Sequence, residues 1–371
     1  MSHFEQLVEW RRMFHQHPEV SYQEYDTTAR LKEILEEHEI KIIDYPLDTG
    51  LVAEIGEGET IVALRTDIDA LPIEEQVDSE ITSQNKGVMH ACGHDIYMAS
   101  ILGAALLLKE KEAELPGRVR ILFQAAEEVG SGAQQMVEAG VLEGVKAVTG
   151  FHNDPTLKVG TLAIKPGAMT SAVDRFFIRI KAKGGHAAKP EESNDPMIIL
   201  GQLLTSVQSI VSRNVSAFDS AVVTIGEVSA GNTWNVIPDS ARIQGTVRTF
   251  NNETRALAEQ RLQSICDGLA SAFNAEIELE YIHLPNAVMN HETLTHIAQE
   301  AAEETGYKVE QLSQPKTIGE DFSAMSDTVP GVFSFIGSQS DYDLHHPKYN
   351  PNEDILKKAP EFLANLVQKL F

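Results

Sequence analysis

Apolar side chains at positions 4, 7, 8 and 14 recur at helical spacing, and residues 28–35 repeat the pattern, so the chain opens on two predicted helices. The apolar run Ile61-Val62-Ala63-Leu64 is too short for a helix and predicts a buried strand. Helix 97–109, strand 119–123, helix 131–139 and strand 147–151 follow. Such alternation predicts an α/β fold, here a three-layer α/β/α domain around a largely parallel sheet.

The pattern changes near Ala172. Residues 175–181 alternate apolar and charged side chains, as a strand with one wet face does, and Gly184-Gly185 ends the run. Helix 196–211, strands 221–228 and 241–249, helix 253–273 and strand 277–281 complete a βαββαβ order, the pattern of an α+β, ferredoxin-like sandwich. Helix 291–305, strand 331–336 and helix 355–370 then resume the earlier alternation. The expectation is a catalytic domain in two segments, 1–172 and 285–371, with a smaller domain, 173–284, inserted between them.

A length of 371 residues agrees with two cores rather than one. The formal net charge of -25 argues against a nucleic-acid partner, because phosphate recognition needs a basic surface. No apolar stretch approaches the ~20 residues of a membrane span. The first residues also lack the basic leader and apolar core of a signal peptide, so a cytoplasmic protein is expected. Two cysteines are too few for a disulfide framework. Cys266 falls in an apolar helical pattern and reads as a buried small hydrophobe, whereas Cys92 lies between two histidines.

That second cysteine opens the chemistry. In His90-Ala91-Cys92-Gly93-His94-Asp95, a thiol and an imidazole one residue apart can reach one metal ion if the backbone turns, which Gly93 permits. The spacing alone is common. Strand 119–123 runs into Glu127-Glu128, where one carboxylate can coordinate and its neighbour can act as a base, although acidic residues also favour any helix start. His152 takes the equivalent place one strand later, and His345-His346 lies near the C-terminus, after Gly319-Glu320-Asp321-Phe322. Ligand-type residues at successive strand ends point to one site, since α/β sheets bind ligands there.

These motifs, with Arg11-Arg12, His15-Gln16-His17-Pro18-Glu19, the run from Arg65 to Pro72, Gly184-Gly185-His186-Ala187 and Asn235-Val236-Ile237-Pro238, make the chain resemble the dinuclear-metal aminoacylase, carboxypeptidase and hippurate hydrolase family. The resemblance covers essentially the whole chain. It lies in the branch of bacterial N-acyl-amino-acid amidohydrolases and plant auxin-conjugate hydrolases, and is greatest to bacterial deacetylases of N-acetylated and sulfur-containing amino-acid derivatives.

The resemblance implies a metallopeptidase-like catalytic domain that binds two divalent ions, of manganese, zinc, nickel or cobalt. Cys92 would bridge them, with His94 and His152 on one ion, Glu128 and His345 on the other, and Glu127 as general base. It further implies that Asp67 and Asp95 orient ligands from behind, that His186 steadies the oxyanion and that Asn235 holds the substrate carboxylate. The inserted domain would act as a lid and as the contact of a homodimer or higher homo-oligomer. The expected substrate is a small N-acyl amino acid. A dipeptidase or carboxypeptidase, an N-acetyl-diaminopimelate deacetylase, a hydrolase with Cys92 as nucleophile, and an inactive metal-retaining binding protein are the competing readings. Many members of the branch carry His where this chain has Tyr97 and Glu191, which points to altered substrate-pocket or lid contacts.

Overall fold

The structure, a computed structural model, describes residues 2–371 and divides into two compact units. One comprises the described residues up to 169, with 288–314 and 320–371; the other comprises 170–287 and 315–319.

The first unit is built on an eight-stranded sheet. Its strands lie in the order Lys41–Ile43, Leu51–Ile55, Arg118–Gln124, Ile61–Asp67, Val145–Asp154, Gly331–Gly337, Thr161–Ile164 and Lys308–Gln311. The central four, from Arg118–Gln124 to Gly331–Gly337, pair in parallel, so their C-terminal ends share one edge. Antiparallel neighbours flank them on both sides. Ile61–Asp67 and Gly331–Gly337 are buried along their whole length, as expected of strands covered on both faces.

Helix His94–Glu110 packs against Ala359–Leu370 and His3–Gln16. A side chain at Gly103 would meet Pro360 Cγ at 2.8 Å and Leu7 Cδ1 at 2.9 Å, so glycine allows the three helices to close together. Two boundaries differ from expectation. The helix predicted from residue 97 begins at His94, because Gly93, with φ of +90°, turns the chain directly into it. The closing helix divides into Glu353–Lys357 and Ala359–Leu370, with Pro360 in the first turn of the second, where its missing N–H is harmless.

The second unit has a four-stranded antiparallel sheet, ordered Ala221–Ala230, Ser240–Thr249, Ala172–Lys181 and Glu276–His283. With helices Pro196–Val207 and Asn252–Phe273, the chain order is βαββαβ. Phe176, Ile178 and Ile180 alternate inward along Ala172–Lys181 and pack with Ile199, Leu203 and Leu262. Cys266 belongs to this apolar cluster. Among the described residues, no helix is long and apolar enough to cross a membrane.

Candidate metal centre

The shared C-terminal edge of the four parallel strands carries the ligand-type residues. Gly93 allows the 90–94 loop to turn: a Cβ there would lie 2.7 Å from Asn153 Nδ2 and 3.1 Å from Tyr349 Oη. Cys92 is thereby buried with its Sγ 3.3 Å from His152 Nε2. Nδ1 of His152 donates to Asn153 O at 2.7 Å, which leaves Nε2 as the acceptor that faces the thiol.

His94 is fixed in the same way. Its Nδ1 lies 2.8 Å from Asp69 O and 3.3 Å from Asp69 Oδ1, while buried Nε2 has no hydrogen-bond partner among the described residues. Glu128 places Oε1 3.9 Å from that nitrogen and Oε2 3.5 Å from His345 Nε2. His345 adopts a φ of +62°, and its N–H donates to Ala91 O at 2.8 Å. His346, by contrast, stacks on Tyr342 with ring centroids 4.5 Å apart.

All five expected ligands therefore converge. One ligand atom each from Cys92, His94 and Glu128 lies within 4.8 Å of the other two. Buried polar atoms that face one another without a hydrogen bond are costly, and a cation removes the cost. His94 Nε2 and Glu128 Oε1 are both such orphans. The donor set of one thiolate, three imidazoles and a carboxylate suits zinc, nickel, cobalt or manganese.

The electrostatics show a concentration of buried carboxylate charge that a cation would offset. Burial, followed by Glu128 and Glu127, pushes the Cys92 thiol well above its ordinary range. Burial lowers His152 to about 4, so the ring within 3.3 Å of the sulfur is not an imidazolium that could stabilise a thiolate. This environment disfavours Cys92 as a free nucleophile and suits a thiolate neutralised by a bound cation. Burial raises Glu128 to about 7, opposed by the charge of His94. Burial works against charge on His94, but its bond to Asp69 and the nearby carboxylates raise it to about 10. Half-buried Glu127 is pushed well up by burial, then by Glu320, Glu128, Asp321 and Asp67.

The expectation that Asp67 and Asp95 orient the ligands needs correction. Asp67 and Asp321 pair with Arg65, a fully buried cation that also meets Glu320 at 3.0 Å. Asp95 pairs with Arg11 at 2.8 Å and His15 at 2.9 Å. The carboxylate that touches a ligand is Asp69: besides meeting His94, its Oδ2 accepts from Glu128 N at 3.0 Å and from Ser21 Oγ at 2.7 Å. Asp69 continues the acidic alternation of Asp67-Ile68-Asp69, the one signal that marked it.

Tyr97 is also corrected. It is fully buried behind the cysteine loop, hydrogen-bonded to Cys92 O and Asn153, and so is a support of the centre rather than a pocket residue. Glu191 is exposed in the second unit. His186 and Asn235 also belong to that unit, where a short ladder pairs Gly185–His186 with Val236–Ile237. Ala187 N donates to Asn235 O at 3.2 Å, so the two expected substrate contacts are near neighbours, and both are exposed.

An α/β sheet carrying a buried Cys/His/Glu cluster at the ends of its parallel strands defines a hydrolase of the metallopeptidase type. Residues 63–369 match the model of Peptidase family M20/M25/M40, and the chain belongs to that family, whose members hydrolyse amides. Two Bacillus subtilis (strain 168) relatives are each 44% identical to it. One, an N-acetylcysteine deacetylase, aligns over 97% of this chain and 95% of its own. The other, an N-acetyl-L-cysteine deacetylase, aligns over 98% and 88%. A solved Bacillus subtilis structure, described as a dinuclear metal binding peptidase of the M20 family, is 40% identical with a TM-score of 0.89, over 99% of this chain and 98% of that one. A putative aminohydrolase of methicillin-resistant Staphylococcus aureus is 33% identical with a TM-score of 0.94, over 98% and 96%.

Proposed function

We propose that the protein is a cytoplasmic deacylase that removes a short acyl group, acetyl foremost, from N-acylated amino acids of the N-acetylcysteine kind. Cys92, His94, Glu128, His152 and His345 would hold two divalent ions. The convergence of these five side chains, with unpartnered buried polar atoms on His94 and Glu128, carries the reading. The names of the two deacetylase relatives support the substrate class.

Bound divalent ions would polarise the amide carbonyl and acidify water at the site. Glu127 takes a proton from the attacking water as the new C–O bond forms. Its carboxyl then returns that proton to the amide nitrogen as the C–N bond breaks, giving a carboxylic acid and a free amino acid. His186 would donate to the developing oxyanion and Asn235 would hold the substrate's carboxylate. A homodimer through the second unit is supported by its edge strand Ala221–Ala230, where Val222 and Val228 are exposed, and by exposed Met197 and Ile198 on helix Pro196–Val207.

The test is a hydrolysis screen over N-acetyl, N-benzoyl and aminoacyl substrates, with protein reconstituted in turn with manganese, zinc, nickel and cobalt. Release of acetate from N-acetyl amino acids is expected, and preferential cleavage of aminoacyl substrates would make the protein a dipeptidase instead. Glu127→Gln should keep its metal content and lose turnover by about 10²-fold or more. Full activity in that variant removes Glu127 as the base.

A further inference from the structure

Glu127 and Glu128 sit on a turn that most residues do not adopt freely. Ala126, immediately before the pair, has a φ of +56°, in the left-handed region that side chains other than Asn and Asp rarely enter. Two contacts hold it there. Its carbonyl accepts from Gly132 N at 3.1 Å, and its N–H donates to Glu24 Oε1 at 2.9 Å.

Glu24 is placed for this contact. It stands at the start of helix Tyr25–Glu37, but its side chain does not cap that helix and reaches the strand end instead. The residue is fully buried, and its second oxygen accepts from Thr49 Oγ1 at 2.9 Å. Next to Thr49, a Cβ on Gly50 would lie 2.5 Å from Phe123 O, so this loop presses against the end of the strand that leads into the turn. Among the described residues no Lys, Arg or His forms an ion pair with Glu24. A buried carboxyl without a cation is costly, and the two hydrogen bonds are its visible use here.

We propose that Glu24 is a positioning residue: by accepting from Ala126 N, its Oε1 locks the left-handed turn that aims the Glu127 carboxyl at the proton it transfers. The inference rests on the reading of Glu127 as the base. Asp69 holds Glu128 N from the other side, so Glu24 governs the Glu127 half of the turn more than the ligand half.

The experiment compares Glu24→Ala, Glu24→Gln, Ala126→Gly and the double variant Glu24→Ala/Ala126→Gly, all with equal metal content confirmed. In Glu24→Ala, kcat should fall about 10- to 100-fold, the range a misaimed catalytic group produces, with KM within about threefold. Hydrogen exchange at the Ala126 amide should quicken in the same variant. Glu24→Gln keeps the acceptor and should stay within about threefold of the parent in both readings. Glycine enters the left-handed region without a clamp, so Ala126→Gly should be near neutral alone and should restore most of the lost kcat in the double variant. If Glu24→Ala does not fold, Thr49→Val loosens the same clamp and should lower kcat at unchanged KM, again with recovery on adding Ala126→Gly.

Unchanged kcat and amide exchange in the clamp variants overturn the proposal. So does a loss that Glu24→Gln shares and Ala126→Gly leaves unrepaired, since that would make the charge of Glu24, not its acceptor, the active feature. Glu127→Gln measured alongside separates the two readings: retained activity there removes the base, while amide exchange at Ala126 still scores the clamp.

Discussion

The phenol of Tyr97 donates to the main-chain carbonyl of Cys92 at 3.1 Å. Tyr97 Oη also accepts from Asn153 N at 3.0 Å and Asn153 Nδ2 at 2.7 Å, and the ring lies 5.3 Å from those of both His94 and His152. One buried side chain thus links the cysteine loop to the end of the strand that carries His152. Tyr97→Phe keeps the ring contacts and removes the three hydrogen bonds. Metal affinity, measured by competition with a chelating dye, should fall by about 10-fold, the lower range for lost supports behind a metal site. Turnover of the fully loaded variant should stay within a few-fold, because Tyr97 is sealed from solvent and its hydroxyl bonds Cys92 O and Asn153. A large kcat loss at full loading would instead return Tyr97 to the substrate pocket.

Gly93 tests the same support from the other side. Its φ of +90° disfavours any side chain, and a Cβ would press on Asn153 Nδ2 and Tyr349 Oη. Neither atom can yield cheaply. Asn153 Oδ1 is held by Ser338 Oγ at 2.5 Å and Tyr349 Oη at 2.7 Å, and Asn153 Nδ2 donates to Cys92 O at 2.7 Å. Gly93→Ala should therefore lower stability by about 2–4 kcal/mol, combining left-handed strain with overpacking. It should also weaken metal binding more than Tyr97→Phe does. Urea melts of metal-stripped protein and the same dye competition measure the two effects.

Much of the centre was legible because its strands are. Arg118–Gln124 is buried but for its first residue and Val145–Asp154 but for its second, and such strands carry apolar patterns, here at 119–123 and 147–151, whose ends can be located. Glu127, Glu128 and His152 could therefore be placed at one sheet edge before any coordinates. The first turn of His94–Glu110 was hidden because His and Asp read as loop, and Gly93 reveals its left-handed turn only in three dimensions. Asp69 and Asp67 cannot be told apart by alternation, since both follow the same period of two. Their partners, Arg65 for one and His94 for the other, decide which of them touches a ligand. Tyr97 was misplaced for a related reason: a polar substitution beside a metal motif suggests a pocket, yet a tyrosine hydroxyl is equally at home in a closed network of hydrogen bonds. Short strands such as Lys41–Ile43 and Lys308–Gln311 left too little pattern to detect.

His90 provides a pH test of the same buried region. Its ring is almost entirely inaccessible, and neither nitrogen has a hydrogen-bond partner among the described residues. Burial lowers its pKa to about 3, with Asp95 opposing and His94 and His15 assisting the shift. The ordinary value is about 6.5. As pH falls below that value the unfolded chain gains a proton that folded His90 refuses until about pH 3, so stability is full above about 6.5 and is lost across this window. The slope for one such group is about 1.4 kcal/mol per pH unit. His152, lowered to about 4, adds a similar slope over a narrower range. Metal-stripped protein avoids confusion with metal loss in acid. In urea melts between pH 5.5 and 4.5, the parent should lose about 1.4 kcal/mol more than His90→Phe, which cannot take up the proton. Parallel curves would mean that folded His90 is already protonated there, paired with Asp95 across the space between them.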